Sequence, residues 1–116
     1  MYRVGLGVDI HPFEEGRPLM LGGVSIESDV GLRGHSDGDA VLHALADALL
    51  GAAALGDIGE HFPGDAKNKN RPSVEILEET VRKIWDRGYL VVNVDIMVMA
   101  EKPKLAPYRD QMREVI

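Results

Sequence analysis

The stretch His35-Ser36-Asp37-Gly38-Asp39-Ala40-Val41-Leu42-His43-Ala44-Leu45-Ala46-Asp47 decides the fold, because it predicts a loop that runs into a helix. Asp37 or Asp39 can accept hydrogen bonds from the free backbone N–H groups at the helix start. Asp39, His43 and Asp47 repeat at every fourth residue on one helical face. The opposite face is apolar and predicts the side that packs on the core: Val41, Leu42, Leu45, Ala48 and Leu49.

A second segment, residues 2–11, alternates apolar residues with polar residues or glycine, which predicts a strand with one apolar face. Asp9 and His11 are two residues apart and therefore point to the same side. Gly5 and Gly7 share that side and leave it open, so another element can approach the strand closely.

Asp9 and His11 on the strand, with His43 on the helix, make a possible three-ligand metal site. Two neutral imidazoles and one carboxylate suit zinc, and a fourth, open position is typical of a catalytic rather than a structural zinc. The alternative is ordinary: a strand-end Asp and His bonded to nearby backbone, and a helix with three unrelated polar residues.

Composition limits the classes of protein that this chain can represent. The 116 residues are enough for one domain spanning 1–116. The net charge of −6 argues against a nucleic-acid-binding surface, and the absence of cysteine excludes disulfides and a thiolate zinc site. No apolar run is long enough to span a membrane and no secretory signal opens the chain, which favours a cytoplasmic enzyme. A plastid location is compatible if a transit peptide has been removed.

The remaining pattern predicts an α+β fold, a mixed sheet with helices packed on one face. Ser73 is expected to cap its helix, and the polar segment 65–72 reads more readily as a solvated loop than as a flap over a diphosphate. The predicted elements are a strand over 2–11, a loop over 12–18, a Gly-Gly hairpin over 19–26, connecting chain over 27–33, a helix over 38–50, a loop over 51–64, a helix over 73–87, a central strand over 89–99, a loop over 100–106 and a helix from Pro107.

Several motifs together resemble the 2-C-methyl-D-erythritol 2,4-cyclodiphosphate synthase family. They occur in the family's order, and the resemblance runs from Arg3 to the last residue: Gly7–His11, Gly22-Gly23, His35–Asp39, Leu42–Gly51, Gly56–Gly59 and Pro103–Leu105.

The resemblance implies a homotrimer with active sites between neighbouring subunits. It implies a phosphorus–oxygen lyase of the non-mevalonate route to isoprenoids, which converts 4-diphosphocytidyl-2-C-methyl-D-erythritol 2-phosphate to the cyclic diphosphate and releases CMP. The family continues with a further strand that carries a Thr-Thr-x-Glu motif, so we expect this domain to be incomplete at its C-terminal side. Turnover by the 116 residues alone is then in question.

The resemblance also implies roles for individual residues. Asp9, His11 and His43 are expected to bind a catalytic Zn²⁺, and Asp39 and Asp47 are candidates to orient a ligand from behind. A Mg²⁺ or Mn²⁺ ion would bridge the substrate phosphates.

The substrate contacts that the resemblance implies fall in three groups. His35, with a catalytic role, and Ser36 would contact the phosphate and the methylerythritol part. Asp57 and Gly59 would hold sugar hydroxyls, although a turn aspartate and a turn glycine are the plainer interpretation. The rest would form part of the cytidine pocket: Ala100, Pro103, Lys104 and Leu105.

Two other functions fit the residues. One is a zinc-dependent phosphoesterase that uses a metal-bound water. The other is a non-catalytic assembly module stabilised by zinc. Nucleic acid and membrane are not expected partners.

Overall fold

The computed structural model describes residues 1–34, 36–64, 71–100 and 103–116. The predictions for His35 and for 65–70 therefore lie outside the described residues. In chain order the elements are β1 (Phe13–Glu15), β2 (Leu19–Leu21), β3 (Val24–Ile26), β4 (Val30–Leu32), α1 (Ala40–Ala52), α2 (Ile58–His61), α3 (Ser73–Asp86), a 3₁₀ turn (Ala106–Tyr108) and α4 (Arg109–Val115).

Strands β2 and β3 form the predicted hairpin around Gly22 and Gly23. Both glycines have positive φ, +61° and +76°, as a tight two-residue hairpin turn requires. The register pairs Leu19 with Ile26 and Leu21 with Val24, and all four side chains are buried. The hairpin prediction is confirmed.

Strands β1 and β4 pair antiparallel, with Phe13 opposite Leu32. The sequence analysis assigned both stretches to loop and connecting chain, and that assignment is wrong. Each strand has only three residues, which is too short for an alternating pattern to stand out. The described residues therefore contain two small antiparallel sheets, and the expected mixed sheet is not formed among them.

Helices α1 and α3 pack against each other and form the second half of the core. Leu42 and Leu45 of α1 are buried with Leu77 of α3, while Val41 of α1 belongs to the cluster around the hairpin. Helix α1 begins two residues later than predicted, and α2 lies inside the predicted 51–64 loop. The α+β class is confirmed.

Helix α3 begins as predicted, but its cap differs. The capping position is taken by Pro72, whose side chain makes no cap hydrogen bond, and Ser73 is the first helical residue. The prediction that Ser73 caps this helix is wrong, because its hydroxyl points across to the loop before α1.

Residues 2–11 and 89–99 are not strands in the structure, so both of these predictions are wrong as stated. A strand needs a partner for its backbone, and neither segment pairs with a described strand. The segment 2–11 instead runs along α1 in the opposite direction, with Gly5 beside Ala48 and Gly7 beside Ala44. Its apolar side chains face outward: Val4 is 93% exposed and Leu6 is 87% exposed. In the segment 89–99 the side chain of Met97 is likewise exposed, at 86%.

None of the helices in the described part of the chain combines the length and the apolar character that a membrane span needs.

Candidate functional site

Asp9, His11 and His43 converge beside α1. The Oδ2 atom of Asp9 lies 2.6 Å from Nδ1 of His11 and 3.7 Å from Nδ1 of His43. One nitrogen or oxygen from each of the three residues lies within 4.8 Å of the others. The sequence analysis predicted this convergence from two separate segments.

Glycines bring the two segments together. A Cβ atom on Gly7 would lie 1.8 Å from the carbonyl oxygen of Ala44, and one on Gly5 would lie 1.9 Å from that of Ala48. Only glycine allows such an approach of 2–11 to the backbone of α1. The expectation that these glycines admit a close neighbour is confirmed, and the neighbour is the helix that carries His43.

Two atoms of this cluster have no hydrogen bond. Asp9 Oδ2 and His11 Nδ1 are buried and lie 2.6 Å apart, yet neither makes a hydrogen bond of acceptable geometry among the described residues. A buried polar atom without a partner costs free energy, so an arrangement of this kind points to a bound group. Two nitrogens and a carboxylate oxygen fit a divalent transition metal such as zinc, and the donor set leaves further coordination positions open.

Burial lowers the pKa of the His43 imidazole below its ordinary value of 6.5, and the neighbouring His11 acts in the same direction. The charge of Asp9 opposes this, as do the charges of Asp37 and Asp39. Because burial is the largest cause, His43 is held neutral near pH 7, which is the form that binds a metal.

The other ring nitrogen of His43, Nε2, faces two buried hydroxyls. It lies 3.0 Å from Oγ of Ser36 and 2.9 Å from Oγ of Ser73. Ser73 also bonds Asp37 through both its hydroxyl and its backbone N–H. The sequence analysis missed this contact of Ser73 because the two partners are 30 and 36 residues away, and no local pattern marks such a pair.

Asp39 has an N-capping role that the sequence suggested and a second contact that it did not. Its carboxylate accepts the N–H of Leu42 at 3.1 Å, and those of Gly22 and Gly23 at 2.9 and 2.7 Å. The side chain is completely buried. Burial raises its pKa above 3.8, while these backbone bonds oppose the rise. Asp39 therefore ties the start of α1 to the hairpin turn.

Asp47 and Asp57 both contact the start of α2. Asp47 accepts the N–H of Ile58 at 2.9 Å, so it holds α2 against α1. Asp57 caps α2 by accepting the N–H of Glu60 at 3.0 Å, and Gly59 lies in the same turn. These contacts are structural, and the predicted substrate roles of Asp57 and Gly59 stay predictions.

Ser36 lines a cavity of about 280 Å³ together with Asp37, Arg17, Pro18 and Met20. The Arg17 guanidinium donates to the carbonyls of Gly34 and Ser36, both at 2.7 Å. It thus holds the backbone on each side of position 35, another role that the sequence analysis missed because the contact spans 17 residues or more.

The predicted nucleotide residues lie apart from the triad in sequence and are less enclosed. Ala100 and Lys104 are exposed, and Pro103 and Leu105 are half-buried. Leu105 packs against the hairpin cluster with Tyr108 and Met112. Their contacts with a nucleotide stay predictions.

The fold and the cluster together define an α+β protein with a partly buried carboxylate–imidazole site suited to a divalent metal. Comparison with known proteins identifies the family of this chain. The model of the YgbB family matches residues 2–116, and the chain belongs to that family.

Curated relatives support the same assignment. A protein of Desulfatibacillum aliphaticivorans named 2-C-methyl-D-erythritol 2,4-cyclodiphosphate synthase is 59% identical over 115 residues, which cover 98% of this chain and 74% of the relative. The enzyme of that name from Chlorobaculum tepidum is 55% identical, with 98% and 73% covered. The family prediction made from the motifs is therefore confirmed.

Solved structures agree in fold. A 2C-methyl-D-erythritol-2,4-cyclodiphosphate synthase in a CDP-bound form superposes with a TM-score of 0.90 at 44% identity, covering 97% of this chain and 76% of that one. The bifunctional IspDF from Campylobacter jejuni gives 0.93 at 47% identity, covering 97% of this chain and 31% of that one.

Proposed function

We propose that this chain is a cyclodiphosphate synthase, a phosphorus–oxygen lyase of isoprenoid biosynthesis. Its substrate would be 4-diphosphocytidyl-2-C-methyl-D-erythritol 2-phosphate, and its products 2-C-methyl-D-erythritol 2,4-cyclodiphosphate and CMP. The observation that carries the proposal is the convergence of Asp9, His11 and His43 in a chain 59% identical to an enzyme of that name.

The reaction balances without water. An oxygen of the 2-phosphate forms a bond to the β-phosphorus of the diphosphate, and the bond from that phosphorus to the CMP oxygen breaks. The attacking oxygen is already anionic, so the reaction needs no dedicated base. Positioning and charge neutralisation are the tasks left to the protein.

Asp9, His11 and His43 would hold the cation, for which we propose Zn²⁺. Bound there, such an ion would neutralise phosphate charge and help to orient the substrate. A second ion, Mg²⁺ or Mn²⁺, is proposed to bridge the phosphates. Asp39 and Asp47 are proposed to orient the metal ligands through contacts behind them.

We propose that His35 and Ser36 contact the 2-phosphate and the methylerythritol part. Arg17 would keep this loop in place through its two backbone contacts. Asp57 and Gly59 would bind hydroxyls, and the segment from Ala100 to Leu105 would contact the cytidine.

A homotrimer is proposed as the working assembly. The observation in its favour is the continuous apolar side of 2–11, where five side chains are at least 70% exposed: Tyr2, Val4, Leu6, Val8 and Ile10. Apolar surface of this extent is typical of an interface. A cytoplasmic location also stays a proposal.

The function is tested by ³¹P NMR of the substrate incubated with Zn²⁺, Mg²⁺ and this chain extended to the length of its relatives, because the 116 residues cover 74% of the relative from Desulfatibacillum aliphaticivorans. We expect CMP and a cyclic diphosphate in equal amounts. His43→Ala should abolish this product, whereas His61→Ala, the same change at a histidine that bonds Leu55 and Lys83, should retain it. An open-chain phosphate would instead indicate the phosphoesterase. Loss of the oligomer when metal is removed, without turnover in its presence, would indicate the assembly module.

A further inference from the structure

Ser73 is completely buried at the first position of α3, and its hydroxyl lies between a carboxylate and a histidine. On one side it donates to Oδ1 of Asp37, and on the other it lies 2.9 Å from Nε2 of His43. Neither contact serves α3 itself. The arrangement calls for an explanation because a buried hydroxyl has only one hydrogen to donate.

The direction of each hydrogen bond follows from the chemistry of the groups. The Asp37 carboxylate accepts three donors: the hydroxyl and the N–H of Ser73, and the N–H of Asp39 at 3.1 Å. A carboxylate has no hydrogen to give, so the Ser73 hydrogen must point to Asp37. The Ser73 oxygen is then available to His43 only as an acceptor, and Nε2 of His43 must carry the hydrogen.

A neutral imidazole carries one hydrogen, so a hydrogen on Nε2 leaves Nδ1 with a free lone pair. Nδ1 is the atom that faces Asp9 Oδ2 at 3.7 Å, inside the three-residue cluster. We propose that Ser73 is a positioning residue. Its hydroxyl donates to Asp37 and can therefore only accept from Nε2 of His43, which fixes the imidazole form that presents Nδ1 to a divalent metal. This inference rests on the metal site of the proposed function.

Ser36 does not provide the same constraint. Its Oγ also lies near Nε2 of His43, at 3.0 Å, and it accepts the N–H of Gly38 at 3.4 Å. Its remaining contact is with the Ser73 hydroxyl at 3.5 Å, and no carboxylate among the described residues accepts its hydrogen. This hydroxyl therefore fits either form of the imidazole. With Ser73 replaced, Ser36 alone would leave both forms of His43 open.

The test uses Ser73→Ala, which deletes the hydroxyl but keeps the backbone N–H to Asp37. The matched control is Thr80→Val on the same helix. Thr80 is equally buried, and among the described residues its hydroxyl bonds only the Ile76 carbonyl. Both variants therefore lose one buried hydroxyl from α3.

The first readout is the protonated nitrogen of His43 in metal-free protein, read by long-range ¹H–¹⁵N NMR with ¹⁵N-histidine labelling. We expect the Nε2–H form in the wild type and in Thr80→Val, and a mixture in Ser73→Ala. An Nδ1–H form in the wild type overturns the proposal, and this measurement needs no variant to fold and no metal to bind.

The second readout is zinc affinity, measured by competition with a chelator. We expect Ser73→Ala to bind roughly 10–100-fold more weakly, the usual effect of losing a group that orients a metal ligand, and Thr80→Val to match the wild type. Unchanged affinity or an unchanged Nε2–H form in Ser73→Ala overturns the proposal. If the wild type binds no zinc, the metal site of the proposed function fails, while the NMR result still decides whether Ser73 fixes the form of His43.

Discussion

Two aspartates close to α1, Asp39 and Asp9, have opposite surroundings. Asp39 is completely buried, and both of its oxygens accept backbone N–H groups. Asp9 is less buried, yet its Oδ2 atom has no hydrogen-bond partner among the described residues and faces two imidazoles.

The comparison separates a carboxylate that holds the fold from one that is arranged for a ligand. A satisfied buried carboxylate contributes to stability through its hydrogen bonds, and its removal leaves donors unpaired. An unsatisfied one costs stability in the free protein and regains it when a cation binds. The two groups should therefore respond in opposite ways to substitution and to metal.

The largest effect is expected from Asp39→Ala. The change leaves the N–H groups of Gly22, Gly23 and Leu42 without their acceptor and removes the cap of α1, which should lower the free energy of unfolding by roughly 3–5 kcal/mol. Asp9→Ala in metal-free protein should leave the free energy of unfolding unchanged or raise it, because the change removes a buried oxygen that has no hydrogen-bond partner among the described residues. Urea denaturation measures both, and similar losses in the two variants would break the comparison.

Zinc should stabilise the folded protein only where the Asp9 carboxylate is present. At a free zinc concentration 100 times the dissociation constant, we expect the wild type to gain about 2.7 kcal/mol in the free energy of unfolding. Asp9→Ala should gain little, since it lacks a ligand. The measurement is denaturation with buffered zinc, and an equal gain in Asp9→Ala would place the ion elsewhere.

Asp47→Asn sharpens the comparison at a third carboxylate. An amide oxygen still accepts the Ile58 N–H, so the free energy of unfolding should change by less than about 1 kcal/mol. The proposed role beside the metal ligands predicts a fall in zinc affinity of roughly 10–100-fold. Unchanged affinity in a chelator competition would limit Asp47 to its bond with α2.

The smallest effect concerns pH. Burial raises the pKa of Asp39 above 3.8, so the folded state binds more protons than the unfolded state between pH 3.8 and the raised value. The contribution of Asp39 to the free energy of unfolding therefore falls as pH rises through that window. Asp39→Asn should lack this pH dependence. Denaturation of the wild type and of Asp39→Asn over a series of pH values measures the difference in slope. Parallel series would contradict the raised pKa.

The parts of the fold that the sequence predicted are those set by local chemistry. The Gly22-Gly23 turn requires positive φ, and the apolar spacing of α1 and α3 is read directly from neighbouring residues. The convergence of the three ligand residues followed from combining a period of two with a helical face.

The errors arose where a partner far along the chain decides the outcome. Residues 2–11 and 89–99 have the pattern of strands but no described strand to pair with, so their apolar sides are exposed. Ser73 has the composition of a cap, and its hydroxyl is instead used by Asp37 and His43. Arg17 likewise reaches a loop 17 residues away, which no local pattern indicates.

Zinc stoichiometry tests the central claim most directly, because Asp9 Oδ2 and His11 Nδ1, which make no hydrogen bond among the described residues, are assigned to a metal shared with His43. Elemental analysis after equilibration with zinc and dialysis should find about one ion per chain in the wild type and in His61→Ala. It should find essentially none in His43→Ala. Stoichiometric zinc in His43→Ala would contradict the account.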